Sequence, residues 1–575
     1  MTAVKAAAAI AAVSVVILAV LHPVAAAGAG LLASPAGYHR LRLSRWAARR
    51  DLVGTMRRRT FWFLRPRPGP GFAPLLHLLT SWSRTSAALS HGQRARPGTT
   101  RWQRLTSPVT GYAIPLGRSC YGKRLFASLE EIVLYCSLPR QGKTSALARR
   151  IARHQGGCVA ASSKPDLYWL TVHRRRRKGP VHVFNPGGFG QVTSTVRWNV
   201  LAGCEDEDTA CRRAADLTGK QYAGRGDMQF WISKATVALA ALLHAAALGG
   251  HTILDVTLWA DKDGTQDAID ILQQHRPGGL LAAKVQELRG SGSGRIADSI
   301  RTTITEALAF CTVPKLLESA TPGGPGEQFN VYEFLRRHGT LYMIAGDDAG
   351  NLATLFRAFA AYIHYEAGLT GSNAPAGKLD PPVLFALDEV TQICPVPLPR
   401  WVADSAGKGI VLAIVAHTKT QLAERWGTDG ADTIWSNCGV KVLFRGHGSG
   451  LLEEVSGLYG RIPVTGPEDK QHMVPVVPVP YLFQLPRWWA LVVRAGYPPV
   501  VAKMPRPYQL LPARIVTRAM SAIAARRAGA ASAPQPAAPA VPVMPPTVEF
   551  PVADPQLVPA GNGNGHRRSE EETGG

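Results

Sequence analysis

A strand, a tight polar loop and a helix follow one another between residues 131 and 155, and no other stretch restricts the fold so strongly. Glu131-Ile132-Val133-Leu134-Tyr135-Cys136 is a short apolar run of the kind that forms a buried strand. Ser137-Leu138-Pro139-Arg140-Gln141-Gly142-Lys143-Thr144 comes next, and SALARRIARHQ follows with helical spacing. The octet is G-x-x-x-x-G-K-[ST] with Ser137 at the first glycine position. Backbone N–H groups at such a loop-to-helix junction cradle phosphate oxygens. On this reading Ser137, Pro139, Arg140, Gln141, Gly142, Lys143, Thr144 and Ser145 line a nucleotide pocket. Lys143 neutralises β/γ-phosphate charge during catalysis, and Thr144 ligates Mg²⁺. Gly142 lets the backbone close on the ligand.

A second element makes a chance match a weak explanation. Pro382-Val383-Leu384-Phe385-Ala386-Leu387-Asp388-Glu389 is an apolar strand ending in two carboxylates, a Walker B pattern. Asp388 is expected to hold the metal through water, and Glu389 to polarise the attacking water. ATP and Mg²⁺ are the ligands these two motifs predict. Lys143 and Asp388 are 245 residues apart. A compact P-loop core needs far fewer, so the pattern implies an insertion. Further strands are expected at GGCVAAS, HVFNP, GTLYMIA and GIVLAIVA, whereas about 205–328 reads as helical with glycine breaks. Alternating strands and helices imply a parallel sheet with helices on both faces. The expected fold class is α/β: a RecA-like P-loop NTPase with a parallel sheet, an all-α insertion domain and an N-terminal transmembrane anchor.

Charge is uneven along the 575 residues. Residues 1–104 carry 16 basic side chains against one acid, Asp51, whereas the whole chain is +25. A block of this kind suits nucleic acid or an anionic membrane surface, and a high-GC, actinobacterial-type genome favouring Arg and Ala is the bland alternative. Residues 6–20 are apolar apart from Ser14, and apolar character resumes after His22-Pro23. This is long enough for a transmembrane helix. A secretory signal peptide shares these features. The dense arginines from Arg40 to Arg59 favour an uncleaved anchor with its C-terminal side in the cytosol. Arginine interleaved with Trp46, Phe61, Trp62, Phe63, Phe72, Trp82 and Trp102 reads as an interfacial segment on lipid headgroups. His173-Arg174-Arg175-Arg176-Arg177-Lys178 is either a surface for DNA phosphates or a solvated helix end. The eight cysteines form no Cys-x-x-Cys pair, which fits a reducing compartment.

In their order the motifs resemble the type IV coupling proteins, the TraG/TraD-type conjugative DNA-transfer ATPases of the RecA/FtsK-like P-loop class. Pro139 to Thr144 resembles that family's P-R-x-G-K-T loop, and Ser163-Lys164-Pro165-Asp166-Leu167 its D-x-K-x-E-L segment. Phe184-Asn185-Pro186 and Trp198-Asn199-Val200-Leu201 resemble its F-D-P and W-N-P-L pair. Phe230-Trp231 is similar to the dipeptide before its long helix. Asp388-Glu389 followed by Gln421-Leu422 resembles D-E-F … Q-L. The resemblance spans about residues 110–510. Ser137, Val390 and His417 depart from the family pattern. Thr418 and Gln421 remain as γ-phosphate sensors, and Gln421 joins the expected nucleotide-binding set. Arg400 and Lys408 are the nearest candidates for a trans-acting finger.

The resemblance implies an inner-membrane-anchored homo-hexamer with most of its chain in the cytoplasm. Such an ATPase would pump single-stranded DNA with its relaxase toward type IV secretion channel proteins. Two alternatives are a membrane receptor of the same system with little ATPase activity and an FtsK-like DNA pump. The expected organisation is an anchor (1–37), a basic juxtamembrane segment (38–107), a first core part (108–204), the all-α insertion (205–328), a second core part (329–512) and a disordered Ala/Pro-rich tail (513–575).

Overall fold

The computed structural model describes residues 69–220, 227–261, 264–289, 294–324, 327–346, 350–465 and 471–506. The chain divides into two units, residues 1–512 and 513–575, and every described residue lies in the first. The expected anchor, the basic segment up to residue 68 and the expected tail lie outside the described residues.

In chain order the strands are β1 (Ala113–Ser119), β2 (Arg124–Ser128), β3 (Val133–Cys136), β4 (Cys158–Ser162), β5 (Val181–Phe184), β6 (Thr340–Ile344), β7 (Val383–Leu387), β8 (Ile410–Ala416), β9 (Val440–Phe444), β10 (Arg461–Thr465), β11 (Gln471–Pro475), β12 (Trp489–Arg494) and β13 (Val500–Lys503). Strands β10 and β11 form a separate antiparallel hairpin. The other 11 form one sheet in the order β2-β1-β13-β12-β9-β3-β8-β7-β4-β6-β5. From β9 to β5 every neighbouring pair is parallel. From β9 outward through β12, β13, β1 and β2 every pair is antiparallel. The parallel strands coincide with the apolar runs seen in the sequence, and β7 and β8 are buried at every residue. A strand covered on both faces has no polar face to show.

Alternation along the strands feeds two cores. Val133, Tyr135, Ala413 and Val415 pack with Leu147 and Ile151 of helix α1 (Lys143–Arg153) on one face. Leu134, Cys136, Leu412 and Ile414 face the other way, into a cluster shared with the helices of the 205–328 region. These include α2 (Glu207–Thr218), α3 (Asp227–Leu248) and α4 (Gly294–Ala307). Helix α5 (Gly350–Ser372) packs beneath them. Among the described residues, the Gln229–Leu248 portion of α3 is one stretch long and apolar enough to cross a membrane. Ala235, Leu239, Leu242, Leu243 and Ala246 on it are fully buried by protein. Trp198 fastens this region to the sheet: its buried indole stacks on Phe359 of α5 with centroids 4.8 Å apart. The Arg213 guanidinium of α2 lies over both Trp198 (4.6 Å) and Tyr362 (4.8 Å).

Two expectations change. Phe72 and Trp82 are core residues, not headgroup anchors: Trp82 is 0% exposed and packs edge-on against Tyr497 at 5.6 Å, while Phe72 meets Tyr481 at 5.8 Å. Trp102 is exposed. The cationic run also resolves differently. Arg175 is fully buried and donates to His154 O (2.7 Å), Gly156 O (2.8 Å) and Thr340 Oγ1 (2.6 Å), and Lys178 also donates to His154 O. A guanidinium spent on backbone carbonyls cannot meet DNA; Arg176 and Arg177 alone in the run are exposed.

Arg494 ties the 69–107 segment to the start of β3. Its fork meets Glu131 at 2.6 and 2.8 Å, and its face lies 4.2 Å from the Tyr497 ring centroid and 5.3 Å from that of Trp82. Removing one partner of such a pair strands the other charge. Arg494→Ala is therefore expected to lower unfolding free energy by about 3 kcal/mol. Arg494→Lys should recover little, having no planar fork. Urea titrations of both variants check this, and a loss below about 0.5 kcal/mol for Arg494→Ala would contradict it.

Candidate functional site

Four parallel neighbours, β3, β8, β7 and β4, end on the same edge of the sheet. Cys136 pairs with Ala416, Leu387 with Ile414, and Ala161 with Leu387. The residues just past these ends are Ser137, His417, Asp388-Glu389 and Ser163. Ligand sites of open parallel sheets lie outside the carboxyl ends of the strands. The register alone therefore gathers residues more than 240 positions apart.

The loop after β3 turns at Arg140 (φ 62°) and Gly142 (φ 116°) and opens α1 at Lys143. A Cβ on Gly142 would lie 2.8 Å from the Trp488 ring, so glycine is required by space as well as by φ. Lys143 is 7% exposed, and its Nζ donates to Glu389 Oε1 at 2.9 Å and to His417 Nε2 at 3.1 Å. His417 Nδ1 donates to Ser137 O at 2.9 Å. A carbonyl oxygen only accepts, so Nδ1 carries a proton in that contact. Ser163 Oγ donates to Glu389 Oε2 at 2.9 Å, and Glu389 itself has φ 49°. Left-handed backbone at the non-glycine residues Arg140 and Glu389 is local strain of the kind concentrated at working sites.

The two carboxylates titrate in opposite directions. Asp388 is 4% exposed, and burial pushes its carboxyl up to about 6 despite the attraction of Lys143. Burial also opposes ionisation of Glu389, but the Lys143 hydrogen bond and charge, then Ser163 and His417, outweigh it and hold its carboxyl below the usual range. Asp388 Oδ2 has Ser162 Oγ at 3.5 Å, while Oδ1 is buried with no protein partner. An orphaned buried carboxylate oxygen is costly unless something else satisfies it. A hydrated divalent cation does so, and the first turn of α1 carries the Thr144 hydroxyl needed as its other ligand. The residues present therefore fit Mg²⁺.

Most of the expected residues converge here. Hydrogen bonds link Lys143 to Glu389 and, through His417, to Ser137; Asp388 adjoins Glu389, and Thr144 and Ser145 lie on the first turn of α1. Pro139 and Arg140 form the exposed crest of the loop, and Gln141 Oε1 accepts from Arg445 Nε at 3.0 Å. Gln421 lies in the first turn of the helix Lys419–Asn437, whose N-cap Thr418 Oγ1 accepts from Gln421 N at 3.2 Å. Its Oε1 is buried without a partner. Lys408 pairs with Asp404, and Arg400 is exposed on Leu398–Asp404. Asn185 and Asn199 are turn-formers: Asn185 Nδ2 donates to Val192 O (2.6 Å), and Leu201 N donates to Asn199 Oδ1 (3.0 Å). Sequence reasoning missed Ser163, Arg445 and His447, whose Nε2 donates to Cys136 O at 3.0 Å. Only the pairing of β4 with β7 and of β3 with β9 shows that they belong here.

The fold is mixed α/β with a large, mostly parallel RecA-like sheet that carries a phosphate loop after a central strand. Residues 382–473 match the family model TraG-D_C, the TraM recognition site of TraD and TraG. Among solved structures the chain resembles the bacterial conjugative coupling protein TrwBdeltaN70. Its trigonal form in complex with sulphate is 16% identical, with a TM-score of 0.53 over 72% of this chain and 92% of that one. Its unbound monoclinic form is 15% identical, with a TM-score of 0.52 over the same shares. The plasmid coupling protein TrwB in complex with ADP and Mg²⁺ is 14% identical, with a TM-score of 0.51 over 72% and 92%. No curated protein matches the chain. Residues 382–473 thus resemble a segment of the TraD and TraG coupling proteins, and the chain shares the fold of the conjugative coupling protein TrwB.

Because the Asp388 carboxyl is raised in the fold, its neutral form is the favoured one. Its stabilising contribution is complete below about pH 4 and is lost as pH rises through about 6. Without nucleotide the chain should lose about 3 kcal/mol across that interval from this group. Asp388→Asn should abolish that slope and be the more stable protein at pH 7. Urea midpoints at several pH values test this; parallel profiles for the two proteins would refute it.

Proposed function

We propose that this chain is an ATP-driven DNA translocase that couples a relaxase–DNA substrate to a type IV secretion channel. It would act as a homo-hexamer anchored in the inner membrane, with the bulk of the chain in the cytoplasm. The observation that supports this most directly is the meeting of Lys143, Asp388 and Glu389 at the ends of β3 and β7. The match of residues 382–473 to the TraM recognition site of TraD and TraG and the fold shared with a conjugative coupling protein support the transfer role.

In this reading the γ-phosphate displaces the Glu389 carboxylate from Lys143. That move frees Glu389, held by Ser163, to accept a proton from the attacking water. The α1 N-terminus and the loop N–H groups take the phosphate charge. Asp388 and Thr144 would hold Mg²⁺, which neutralises phosphate charge when bound. His417 keeps contact with Lys143 and Ser137 O, so it can report the change along β8. Gln421, on the adjacent helix, would meet a phosphate through its amide Nε2, because a phosphate oxygen only accepts.

The closed Lys143–Glu389–His417 network also favours a second reading. Since ATP must break an ion pair before hydrolysis, the chain would serve mainly as a receptor with slow turnover. DNA-stimulated ATPase of the full-length chain separates the two readings. Single-stranded DNA should raise hydrolysis several-fold in the first, whereas a flat, low rate supports the receptor. Lys143→Ala should abolish hydrolysis while preserving the fold. Glu389→Gln should still bind MgATP but lose at least about 10²-fold in kcat. Unchanged hydrolysis in Lys143→Ala would remove the site assignment. Fragments beginning near Gly111 are unsuitable for this test, because they delete the buried Trp82.

A further inference from the structure

Trp488 stands in the loop entering β12 with φ 70°, a left-handed backbone that bulky residues avoid. Its carbonyl accepts from Met504 N at 2.7 Å, which pins the loop to the chain leaving β13. Its ring rests on the phosphate loop: a Cβ on Gly142 would fall 2.8 Å from Cζ3 and 2.9 Å from Cε3. The buried Phe444 ring, at the end of β9, lies on the same side of Gly142. Trp488 is nevertheless only half-buried, so part of the indole remains open beside the loop. The Arg487 guanidinium is 5.4 Å from its ring centroid, and Arg445 is held to Gln141 nearby. Merely covering Gly142 calls for an apolar side chain on relaxed backbone. The strained φ and the open aromatic surface call for a further role.

We propose that Trp488 is the platform on which the base of the bound nucleotide stacks, with Arg487 and Arg445 beside it. The inference rests on the nucleotide reading above and adds the subsite for the base. Phosphates gripped at Lys143 and the loop N–H groups leave the rest of the nucleotide to extend outward past Gly142, where the indole lies. Stacking uses the π face of a base and not its edge, so adenine and guanine nucleotides should depend on Trp488 alike.

Calorimetry on the full-length chain with MgADP, MgGDP and magnesium pyrophosphate tests the assignment. Trp488→Leu keeps apolar cover on Gly142 but removes the aromatic face. It should weaken both nucleotides about tenfold and leave pyrophosphate unchanged. Trp488→Phe should restore most of the nucleotide affinity. Equal weakening of nucleotides and pyrophosphate would mean that Trp488 only shapes the loop, and would overturn the proposal. Wild-type affinity for MgADP in Trp488→Leu would also overturn it, while the nucleotide reading would stand if Lys143→Ala still abolished binding. Failure of the wild-type chain to bind any of the three ligands would defeat the nucleotide reading itself, and this inference with it.

Discussion

A cation sits where a helix least tolerates one. Lys143 is the first residue of α1, at the positive end of the helix dipole, and the first turn carries no acidic side chain. Three unpaired N–H groups and an ammonium therefore face one small space. The fold answers by bringing Glu389 from β7 and His417 from β8 to Nζ. That answer is a stand-in: the Glu389 carboxylate occupies the electrostatic position of a phosphate. The strained φ at Glu389, the Ser163 brace and the His417 contact with Nζ all serve to hold a negative group opposite Lys143.

Holding that geometry requires a stiff frame. The parallel strands supply it because both of their faces are covered, by α1 on one side and by the helices of the 205–328 region on the other. Those helices were expected as a separate insertion. They share a continuous core with Leu134, Phe385 and Ile414, and Trp198 and Arg213 knit the two parts together. Displacement of these helices would disturb the very strands that end at the proposed nucleotide site, which gives mechanical coupling a packed route.

What the sequence revealed and what it hid divides along physical lines. Strands β3, β4, β6, β7 and β8 were legible because an internal parallel strand is a nearly unbroken apolar run. Strands β1 and β2 were not, because Pro115 and Gly117 interrupt the pattern and shift the register. The β10–β11 hairpin is largely exposed and carries no apolar signature. Asp388 and Glu389 stand out because charge at the end of an apolar strand is conspicuous, and Lys143 because it closes a glycine-containing loop before a helix. Ser163, His447 and Trp488 are ordinary residues until register and loop geometry place them. The arginine run was misleading for a related reason: composition shows charge, but only burial shows that Arg175 spends its guanidinium on carbonyls.

The antiparallel border of the sheet has a consequence for biosynthesis. Strand β1 pairs with β13, so Arg118 and Ser119 wait for Lys503 and Ala502. Until the ribosome has made almost the whole core, β1 presents a raw hydrogen-bonding edge, and Trp82 lacks the Arg494 and Tyr497 that cover it. The chain thus closes last at the border where its earliest described segment meets its latest. A stalled or truncated product would keep an adhesive edge exposed, and quality-control machinery could recognise it by that edge.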